Sequence, residues 1–324
     1  MHVLITGGAG FIGSHIAEFH LQKGDKVFVV DDLSTGSLDN LNAWKDNQQI
    51  EFEKTNLLTW HQLDDACHWA DRIYHMAAIV GMFKILEDPV GVLETNILAC
   101  ERILKIAASS EQPPQILIPS SSSVYGANTN LPHRESDLVT LKAEGSSRWG
   151  YAISKLANEL FAKAYVSKNN SPIWIVRLFN VIGPHQTGRY GMVVPRFVKQ
   201  VLQGGPITVY GDGTQTRSFS DVRDIVAMLD KLINTPAAMG KIINVGNDRE
   251  ISINNLAALT IELAKKENIP IQHIPYDEAY GMQFEDTKRR QPCLDKLHQH
   301  FTYKRQWALE DTILDLIARE EKKH

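Results

Sequence analysis

The sequence predicts an α/β fold, with a Rossmann-type doubly wound parallel sheet and a smaller C-terminal α/β substrate lobe. Two observations predict it. Short β-branched runs alternate with helical periodicity through the first half of the chain, and a glycine-rich turn joins the first strand to the first helix. Strands separated by helices imply crossover connections, and therefore a parallel sheet covered by helices on both faces.

The elements of the first half follow from periodicity. The predicted strands are Val3–Thr6, Lys26–Val30, Arg72–His75, Ile116–Pro119 and Ile173–Arg177. Apolar residues spaced three and four apart predict helices over Ile12–Gln22, Val90–Ala108 and Tyr151–Val166.

The sequence pattern changes near Gly183, where the predicted segments become shorter and glycine and proline become frequent. We therefore predict a dinucleotide-binding domain over residues 1–182 and a lobe that mainly binds substrate over residues 183–324. Ile242–Val245 has the composition of another strand. Because we expect that strand to join the first domain, the two units should be interleaved.

Composition, net charge and cysteine content limit which partners and which location we expect for the protein. Charged residues make up 22% of the 324-residue chain and the formal net charge is -4, which favours neither nucleic acid nor an anionic membrane as a partner. A strand begins almost at Met1, so we expect no signal peptide, and no apolar stretch approaches the ~20 residues that span a bilayer. The three cysteines, Cys67, Cys100 and Cys293, lack a C-x-x-C pair, so we predict reduced thiols, a cytoplasmic location and no metal site.

The first turn indicates a dinucleotide. Val3–Thr6 leads into a loop with Gly7, Gly10 and Gly13, and then into a helix. Glycines allow a pyrophosphate to approach the backbone, and the helix N-terminus supplies N–H groups and a positive dipole end. Asp31 and Asp32 close the second strand about 20 residues later, where a carboxylate binds ribose hydroxyls and repels a 2′-phosphate. The pattern therefore favours NAD, although a solvated strand-end turn would also place aspartates there.

Two further motifs, a Tyr-x-x-x-Lys spacing and a run of serines, indicate catalysis. Tyr151 and Lys155 are four residues apart, which places both on one face of a helix. A nearby cation favours the phenolate and makes tyrosine, with a free pKa of about 10, a usable base. Ser120–Ser123 follows a strand, where doubly wound folds place ligands. Taken singly, the first motif is often a surface pair and the second a turn that satisfies its own backbone.

Together these blocks resemble the extended short-chain dehydrogenase/reductases of the NAD-dependent nucleotide-sugar epimerase/dehydratase family. The resemblance covers nearly the whole chain. Its blocks are Gly7–His15, Asp31–Gly36, His75–Ala78, Asn96, Ser120–Gly126, Tyr151–Lys155, Arg177–Gly183, Gly211–Asp224 and Arg289–Pro292.

The resemblance implies roles for individual residues. Tyr151 would be the base, Ser121 its hydroxyl partner and Lys155 the residue that orients the nicotinamide half together with Asn96. The implied cofactor contacts also include Phe11 and Ile12 at the pyrophosphate, Asn56 and Leu57 near the adenine, and Met76, Ala77 and Ala78 along the cofactor. The implied substrate contacts are Ser121, Ser122 and Ser123 at the sugar, Asn180, Arg217 and Arg290 at the diphosphate, and Thr208 and Tyr210 at the nucleobase. The resemblance also implies a homodimer formed through the helices near Val90–Ala108 and Tyr151–Val166.

Ser120–Ser123, which we call the serine patch, helps to distinguish among the reactions of this family. Related 4,6-dehydratases carry an Asp-Glu pair where this chain has Ser122 and Ser123, and related glucuronate decarboxylases carry a glutamate at the second of these positions. Without those carboxylates we expect 4-epimerisation of a UDP-sugar through a 4-ketose, which returns NAD⁺ unchanged. UDP-glucose/UDP-galactose and UDP-glucuronate/UDP-galacturonate stay equally open as substrates.

Three alternatives remain at this point. Two are a UDP-glucuronate decarboxylase and a 4,6-dehydratase; the third, from another class, is a catalytically silent NAD-sensing protein. The sequence assigns no role to Cys293, which replaces an aspartate frequent at that position, nor to His185 and Arg189 in a loop near the expected sugar site.

Overall fold

Seven parallel strands form the central sheet of the computed structural model, which describes residues 1–141, 148–188, 191–280 and 286–323. The strands are β1 (His2–Thr6), β2 (Lys26–Asp31), β3 (Ile50–Lys54), β4 (Arg72–His75), β5 (Gln115–Ser121), β6 (Ile173–Leu178) and β11 (Ile242–Val245). They lie in the order β11-β6-β5-β4-β1-β2-β3, so the order reverses between β1 and β4. In such sheets the crevice at this reversal, outside the carboxyl ends of the strands, is where ligands bind.

Helices cover both faces of the sheet. They are α1 (Phe11–Gln22), α2 (Leu63–Trp69), α3 (Met82–Glu87), α4 (Pro89–Ser109), α5 (Arg148–Asn169), α7 (Val222–Ile233) and α10 (Asp295–His300). Side chains alternate along each strand, so Val3 and Ile5 pack in one cluster with α1 and α7, while Leu4 packs in another with α2, α4 and α5. Both faces are therefore apolar, which explains the near-continuous hydrophobic runs of these strands.

The remaining elements form a smaller unit at the carboxyl edge. They are β7 (Val181–Ile182), α6 (Val193–Leu202), β8 (Ile207–Tyr210), β9 (Thr216–Ser218), β10 (Ser220–Asp221), β12 (Glu250–Ser252), α8 (Ile253–Leu263), β13 (Ile271–Ile274), α9 (Tyr276–Tyr280), β14 (Arg289–Arg290) and α11 (Leu309–Glu321). Two small sheets, β12-β9-β14 and β13-β8, organise it, and α6, α8 and α11 share a separate apolar cluster.

The predicted fold class is confirmed, and the strands and helices predicted in the first half are present with ends shifted by three residues or fewer. Ile242–Val245 pairs in parallel with β6, as expected of a strand returning to the sheet. The helices α7 and α10 also come from beyond residue 183 and pack on that sheet. The division at residue 183 itself stays a prediction.

Two further sequence expectations concern the thiols and the membrane. The three cysteines are free and buried, and burial raises the pKa of Cys67 and Cys100 to about 12 each, so these thiols stay protonated near neutral pH. Within the described residues, the helices are all too short or too polar to cross a bilayer.

A buried ion pair joins α5 to the sheet beside the serine patch. The Arg177 guanidinium donates from Nε and Nη2 to the Glu159 carboxylate at 2.8 Å each, and both side chains are less than 5% exposed. The Ser120 hydroxyl donates to the same carboxylate at 2.5 Å, and the Tyr125 ring lies 4.7 Å from the guanidinium carbon. The pair thus ties the end of β5 to β6 and α5.

We predict that Glu159→Gln lowers the free energy of unfolding by about 3–5 kcal/mol, because it leaves the Arg177 charge buried without its counter-charge. Urea unfolding followed by circular dichroism measures this. The control is Glu310→Gln, which breaks a solvent-exposed pair with Arg249 and should cost less than about 1 kcal/mol. Equal losses in the two variants would contradict a special role for the buried pair.

Candidate active site

A cleft of about 530 Å³ runs along the carboxyl edge of the sheet, between the strand ends and the smaller unit. Its lining begins at the glycine loop after β1, continues through the ends of β2, β4 and β5 and the face of α5, and ends on β8, β9 and β14. The cleft therefore lies at the reversal of strand order, where this architecture binds ligands.

The glycine loop is closely packed against backbone. Gly7 has a φ of +69°, and a Cβ added there would lie 2.5 Å from the amide nitrogen of Ala77. A Cβ at Gly13 would lie 2.2 Å from the carbonyl oxygen of Gly7. Side chains at these positions would displace the turn, so glycine keeps the loop backbone and the N-terminus of α1 open to a pyrophosphate.

Asp31 is fixed in orientation at the end of β2. Its carboxylate accepts from the backbone N–H of Ala9 at 3.0 Å and of Leu33 at 2.8 Å. Burial raises its pKa, and these two hydrogen bonds oppose that shift. Asp32 accepts from the N–H of Ser34 at 2.8 Å. Because a carboxylate has about four acceptor sites, Asp31 can still accept from ribose hydroxyls.

The structure brings nearly all predicted cofactor residues to this cleft. Those on its lining are Gly7, Gly10, Phe11, Ile12, Gly13, Asp31, Asp32, Asn56, Leu57, Met76, Ala77, Ala78, Tyr151 and Lys155. Asn96 is the exception. It is fully buried behind the lining, where its amide bonds both backbone groups of Ile79, at 2.7 and 3.2 Å. Asn96 thus anchors the strand end that borders the cleft, and its part in orienting the cofactor stays a prediction.

The three predicted catalytic residues meet in the middle of the cleft. Tyr151 and Lys155 project from the first turns of α5, with the ammonium 6.0 Å from the centre of the phenol ring. Ser121, the last residue of β5, hydrogen-bonds the phenol. The Lys155 ammonium also donates to the carbonyl of Pro119 at 3.2 Å, which holds α5 against the end of β5.

The protonation states are set mainly by burial. Burial raises the pKa of Tyr151 to about 12, while the Ser121 hydrogen bond and the Arg290 charge act in the opposite direction. Burial lowers the pKa of Lys155 to about 8, so this amine is still mostly cationic at neutral pH. A further positive charge in the cleft would stabilise the phenolate, since opposite charges favour ionisation. A bound oxidised nicotinamide would supply that charge.

The serine patch lines the cleft at the end of β5, where we predict the sugar to bind, and we call this part the sugar end. Ser121 caps a 3₁₀ turn over Ser122–Tyr125 by accepting from the N–H of Ser123 at 3.1 Å. Among the described residues the acidic side chains on the cleft lining are Asp31, Asp32 and Asp286, and none of them lies in this turn. The described part of the sugar end therefore presents hydroxyl groups rather than an acid–base carboxylate pair.

The predicted diphosphate ligands come from two paired strands. Arg217 on β9 is opposite Arg290 on β14 in the parallel register, and both line the cleft with Asn180. Arg217 donates to Asp286 at 2.7 Å, and the Tyr276 hydroxyl donates to the same carboxylate at 3.0 Å. Two adjacent guanidinium groups suit the oxygens of a diphosphate.

One of the two residues predicted at the nucleobase lies on the cleft lining. Tyr210 lines the cleft, but Thr208 does not. Gln200 bonds both the amide N–H and the hydroxyl of Thr208, at 3.1 and 2.8 Å, and Arg196 donates to its carbonyl at 3.0 Å. The polar groups of Thr208 are thus already paired within the protein, and its contact with the base stays a prediction.

Several lining residues had no signal in the sequence. They are Trp149, Gln186, Arg196, Gln215, Tyr276, Tyr280 and Asp286. They belong to segments that meet through long-range pairing and, apart from Gln215 in the Gly211–Asp224 block, they lie outside the blocks of the resemblance. Only the fourfold spacing of Tyr276 and Tyr280 on a short helix could have suggested a shared face.

Three residues without an assigned role have different outcomes. Cys293 is buried. Its carbonyl accepts from the side-chain amide of Asn244 and its backbone N–H donates to the carbonyl of His133, so its backbone helps to hold the segment that follows β14. His185 is bonded through Nδ1 to the Ser14 hydroxyl at 2.9 Å, which links its loop to α1. Arg189 lies outside the described residues.

Known proteins share this arrangement. The model of the NAD dependent epimerase/dehydratase family matches residues 3–246, and the chain belongs to that family. Its cofactor is therefore NAD, which the glycine turn and Asp31 fit.

Two relatives and one solved structure illustrate the similarity. The UDP-N-acetyl-alpha-D-glucosaminuronate decarboxylase of Bacillus cytotoxicus is 35% identical over 301 residues, which cover 91% of this chain and 90% of that one. The UDP-glucuronic acid decarboxylase 1 of Danio rerio is 31% identical, and the match covers 91% of this chain and 66% of that longer protein. A mutant of the UDP-glucuronic acid 4-epimerase of Bacillus cereus, in complex with UDP-4-deoxy-4-fluoro-glucuronic acid and NAD, is 25% identical with a TM-score of 0.88 over the full length of both chains.

We predict that Gly13→Ala weakens NAD binding at least about tenfold, because the new methyl group meets the Gly7 carbonyl and displaces the turn. NAD released from the denatured protein and calorimetric titration of NAD-free protein both measure it. Gly205→Ala is the matched control, since a Cβ there meets nothing within 4 Å. Unchanged binding in Gly13→Ala would contradict the placement of the pyrophosphate on this turn.

Proposed function

We propose that this member of the NAD-dependent epimerase/dehydratase family oxidises a UDP-linked hexuronate at C4 and removes its C6 as carbon dioxide. The observation that carries the proposal is the sugar end of the cleft, whose described lining carries the hydroxyl groups of Ser121, Ser122 and Ser123 and no carboxylate. Hydroxyl groups can donate hydrogen bonds to a C6 carboxylate, so a hexuronate is compatible with this end of the cleft. The decarboxylase relatives, whose named substrates are UDP-linked uronates, favour it over a neutral hexose.

The first step is oxidation at C4. Tyr151, as the phenolate, takes the proton of the 4-hydroxyl, while Ser121 donates to the same oxygen and positions it. The Lys155 cation stabilises the phenolate through the field it creates at short range. NAD, when bound, supplies the hydride acceptor for this step and the donor for the final reduction.

The second step explains why the serine patch is compatible with decarboxylation. Oxidation at C4 makes the C6 carboxylate that of a β-keto acid. Its C5–C6 bond can break without a base: the bonding electrons pass into the C4 carbonyl as an enolate, and carbon dioxide leaves. Tyr151 and Ser121, both donors at this stage, stabilise the enolate oxygen. A proton taken up from solvent water adds at C5 and restores the ketone. Reduction at C4, in which Tyr151 returns its proton to the C4 oxygen, ends the cycle.

The two decarboxylase relatives support this fate. The bacterial one matches nine tenths of both chains, and the substrates named for the two are UDP-linked uronates. The absence of a glutamate at Ser123, which first favoured epimerisation, therefore does not decide the reaction, because the β-keto acid step needs no side-chain base.

A second candidate is 4-epimerisation of the same class of substrate. It is favoured by the hydroxyls of the serine patch, which can hold a C6 carboxylate in the plane of the C4 carbonyl. In that position the C5–C6 bond does not overlap with the π orbital of the carbonyl, so carbon dioxide is not lost. The similar solved structure is that of a UDP-glucuronic acid 4-epimerase. The two candidates differ in the orientation of one carboxylate, and both leave NAD⁺ unchanged over the cycle.

We also propose that the enzyme is a cytoplasmic homodimer. On α4 and α5, Leu98, Ile153 and Leu160 are 51%, 47% and 61% exposed, although these two helices also pack together. Exposed apolar side chains on adjacent helices are typical of an interface. Buried thiols without disulfides are typical of the cytoplasm.

Proton NMR of the product tests the reaction. The purified protein is incubated separately with UDP-glucuronate, UDP-N-acetylglucosaminuronate and UDP-glucose, first without and then with added NAD. We expect anomeric signals of a UDP-pentose and release of carbon dioxide from a uronate. Anomeric signals with UDP-galacturonate couplings would establish the second candidate instead, and turnover of UDP-glucose alone would overturn the preference for a charged sugar.

Tyr151→Phe is the control in the same assay. It should lower turnover by about 100- to 10,000-fold while the protein keeps its NAD, because only the proton-transferring hydroxyl is lost. Turnover unaffected by this change would contradict the role of Tyr151, and a wild-type protein inert toward all substrates would favour a silent NAD-binding protein.

We predict that Leu160→Glu converts the dimer into a monomer, since it places a charge in the centre of an apolar contact. Light scattering after gel filtration measures the mass. Leu314→Glu, on α11 and 43% exposed, should leave the mass unchanged. A wild-type protein that is already monomeric would refute the interface.

A further inference from the structure

His133 is a buried residue that the reaction described above does not use. It lies in the loop that follows the serine patch and is only 1% exposed. Its imidazole stacks on the Tyr125 ring, with the ring centres 4.5 Å apart and the planes inclined by 6°. Since Tyr125 ends the 3₁₀ turn that begins at Ser122, this ring is packed against the element that carries the sugar end of the cleft.

The backbone of His133 is bonded to the segment that follows β14. Its N–H donates to the carbonyl of Gln291 at 2.8 Å, and its carbonyl accepts from the N–H of Cys293 at 2.8 Å. The Asn244 side-chain amide donates to the carbonyls of both His133 and Cys293, at 2.9 and 3.2 Å. These bonds begin at the residue next to Arg290, so one residue contacts the serine-patch turn through its ring and the end of β14 through its backbone.

The central sheet holds this junction in place. Asn244, on β11, is fully buried, and its Oδ1 accepts from the Tyr125 hydroxyl at 2.7 Å. The backbone N–H of Asn244 donates to Glu135, in the same loop as His133, at 2.8 Å. The stack and the bonds to His133 are therefore attached to a strand of the sheet rather than to mobile surface.

The charge of Arg290 acts on both His133 and Tyr151. Burial and then the Arg290 charge lower the pKa of His133 to about 4, so its imidazole is neutral at neutral pH. The other charged groups whose fields reach it are Asp137 and Arg177. Burial raises the pKa of Tyr151 to about 12, whereas the Arg290 charge acts to lower it. A displacement of Arg290 would therefore change the basicity of Tyr151.

We propose that His133 is a positioning residue, which holds Arg290 at a fixed separation from the serine patch and Tyr151. The covalent structure of a nucleotide sugar fixes the distance between its diphosphate and its C4 hydroxyl, so the two corresponding parts of the cleft must keep their spacing. The stack on Tyr125 and the backbone bonds to the β14 segment supply that link. The inference rests on the proposed function, because it takes the ligand of Arg290 to be the diphosphate of a UDP-sugar.

The test compares UDP with uridine, which lacks the phosphates. Their binding to the NAD-loaded protein is measured by calorimetry or competition NMR for the wild type, His133→Leu, which removes the flat ring, and His133→Phe, which keeps one. The matched control is His20→Leu, which removes a fully buried imidazole 5.3 Å from the Tyr74 ring and outside the cleft lining. Circular dichroism and NAD content establish that each variant is folded, and His133→Met serves if the leucine variant is not.

We expect His133→Leu to bind UDP about tenfold or more weakly and uridine as the wild type does, because the lost contact is the one between Arg290 and phosphate. His133→Phe should recover the affinity, since stacking needs the ring and not its nitrogens. Unchanged UDP binding, an equal loss for uridine, or a comparable loss in His20→Leu would overturn the inference. A wild type that binds no UDP would instead refute the proposed function.

The dependence of kcat/KM on pH separates positioning from a general loosening of the fold. With the substrate that the wild type converts, activity rises with pH as Tyr151 ionises, and a nearby positive charge keeps that pKa low. In His133→Leu the acid limb should shift to higher pH, because Arg290 is no longer held near Tyr151. His133 itself titrates near pH 4, too low for the loss of its own ionisation to produce such a shift. A profile that is lowered without a shift would contradict the proposal.

Discussion

The common direction of seven strands is the constraint on which the rest of the structure depends. Parallel pairing requires every strand to end at the same edge, so β1, β2, β4 and β5 present their following residues to one crevice. The glycine turn, Asp31, Met76 and Ser121 come from four different strand ends and line one cleft. Helix α5 then needs only to pack beside β5 to bring Tyr151 and Lys155 to the same place. Burial fixes this geometry and also sets the two pKa values on which proton transfer depends.

The first half of the fold was predictable because its signals are local. A strand, a glycine turn and a helix follow each other directly from Val3 to Gln22, and the Tyr151–Lys155 spacing is a property of one helical turn. The pairing of Arg217 with Arg290 required a resemblance to known proteins, since no periodicity relates β9 to β14. Asp286, Tyr276 and Arg196 escaped prediction because each acquires its environment from elements far away in the chain.

Thr208 and Asn96 show what a resemblance alone does not convey. Thr208 stands at the expected position on β8, but Gln200, eight residues earlier on α6, already bonds its polar groups. Asn96 is where the family pattern places it, yet its amide is used to hold Ile79. In both cases the resemblance gives a role toward a ligand, whereas the structure adds a side-chain hydrogen bond within the protein. Such bonds depend on a few tenths of an ångström in packing, which a motif does not record.

The strand β14 has a consequence for the order in which the molecule is assembled. It consists of two residues, pairs with β9, and is held on its far side by a bridge between His133 and Pro292. Closing this contact brings together three segments from distant parts of the chain, and the entropy of loop closure makes such contacts late to form. We therefore expect Arg217 and Arg290, the predicted diphosphate ligands, to come together only near the end of folding. A nucleotide that binds both arginines stabilises the fully folded chain relative to any state in which β14 is undocked. Partly folded chains, which cannot bind it in this way, gain no such stabilisation.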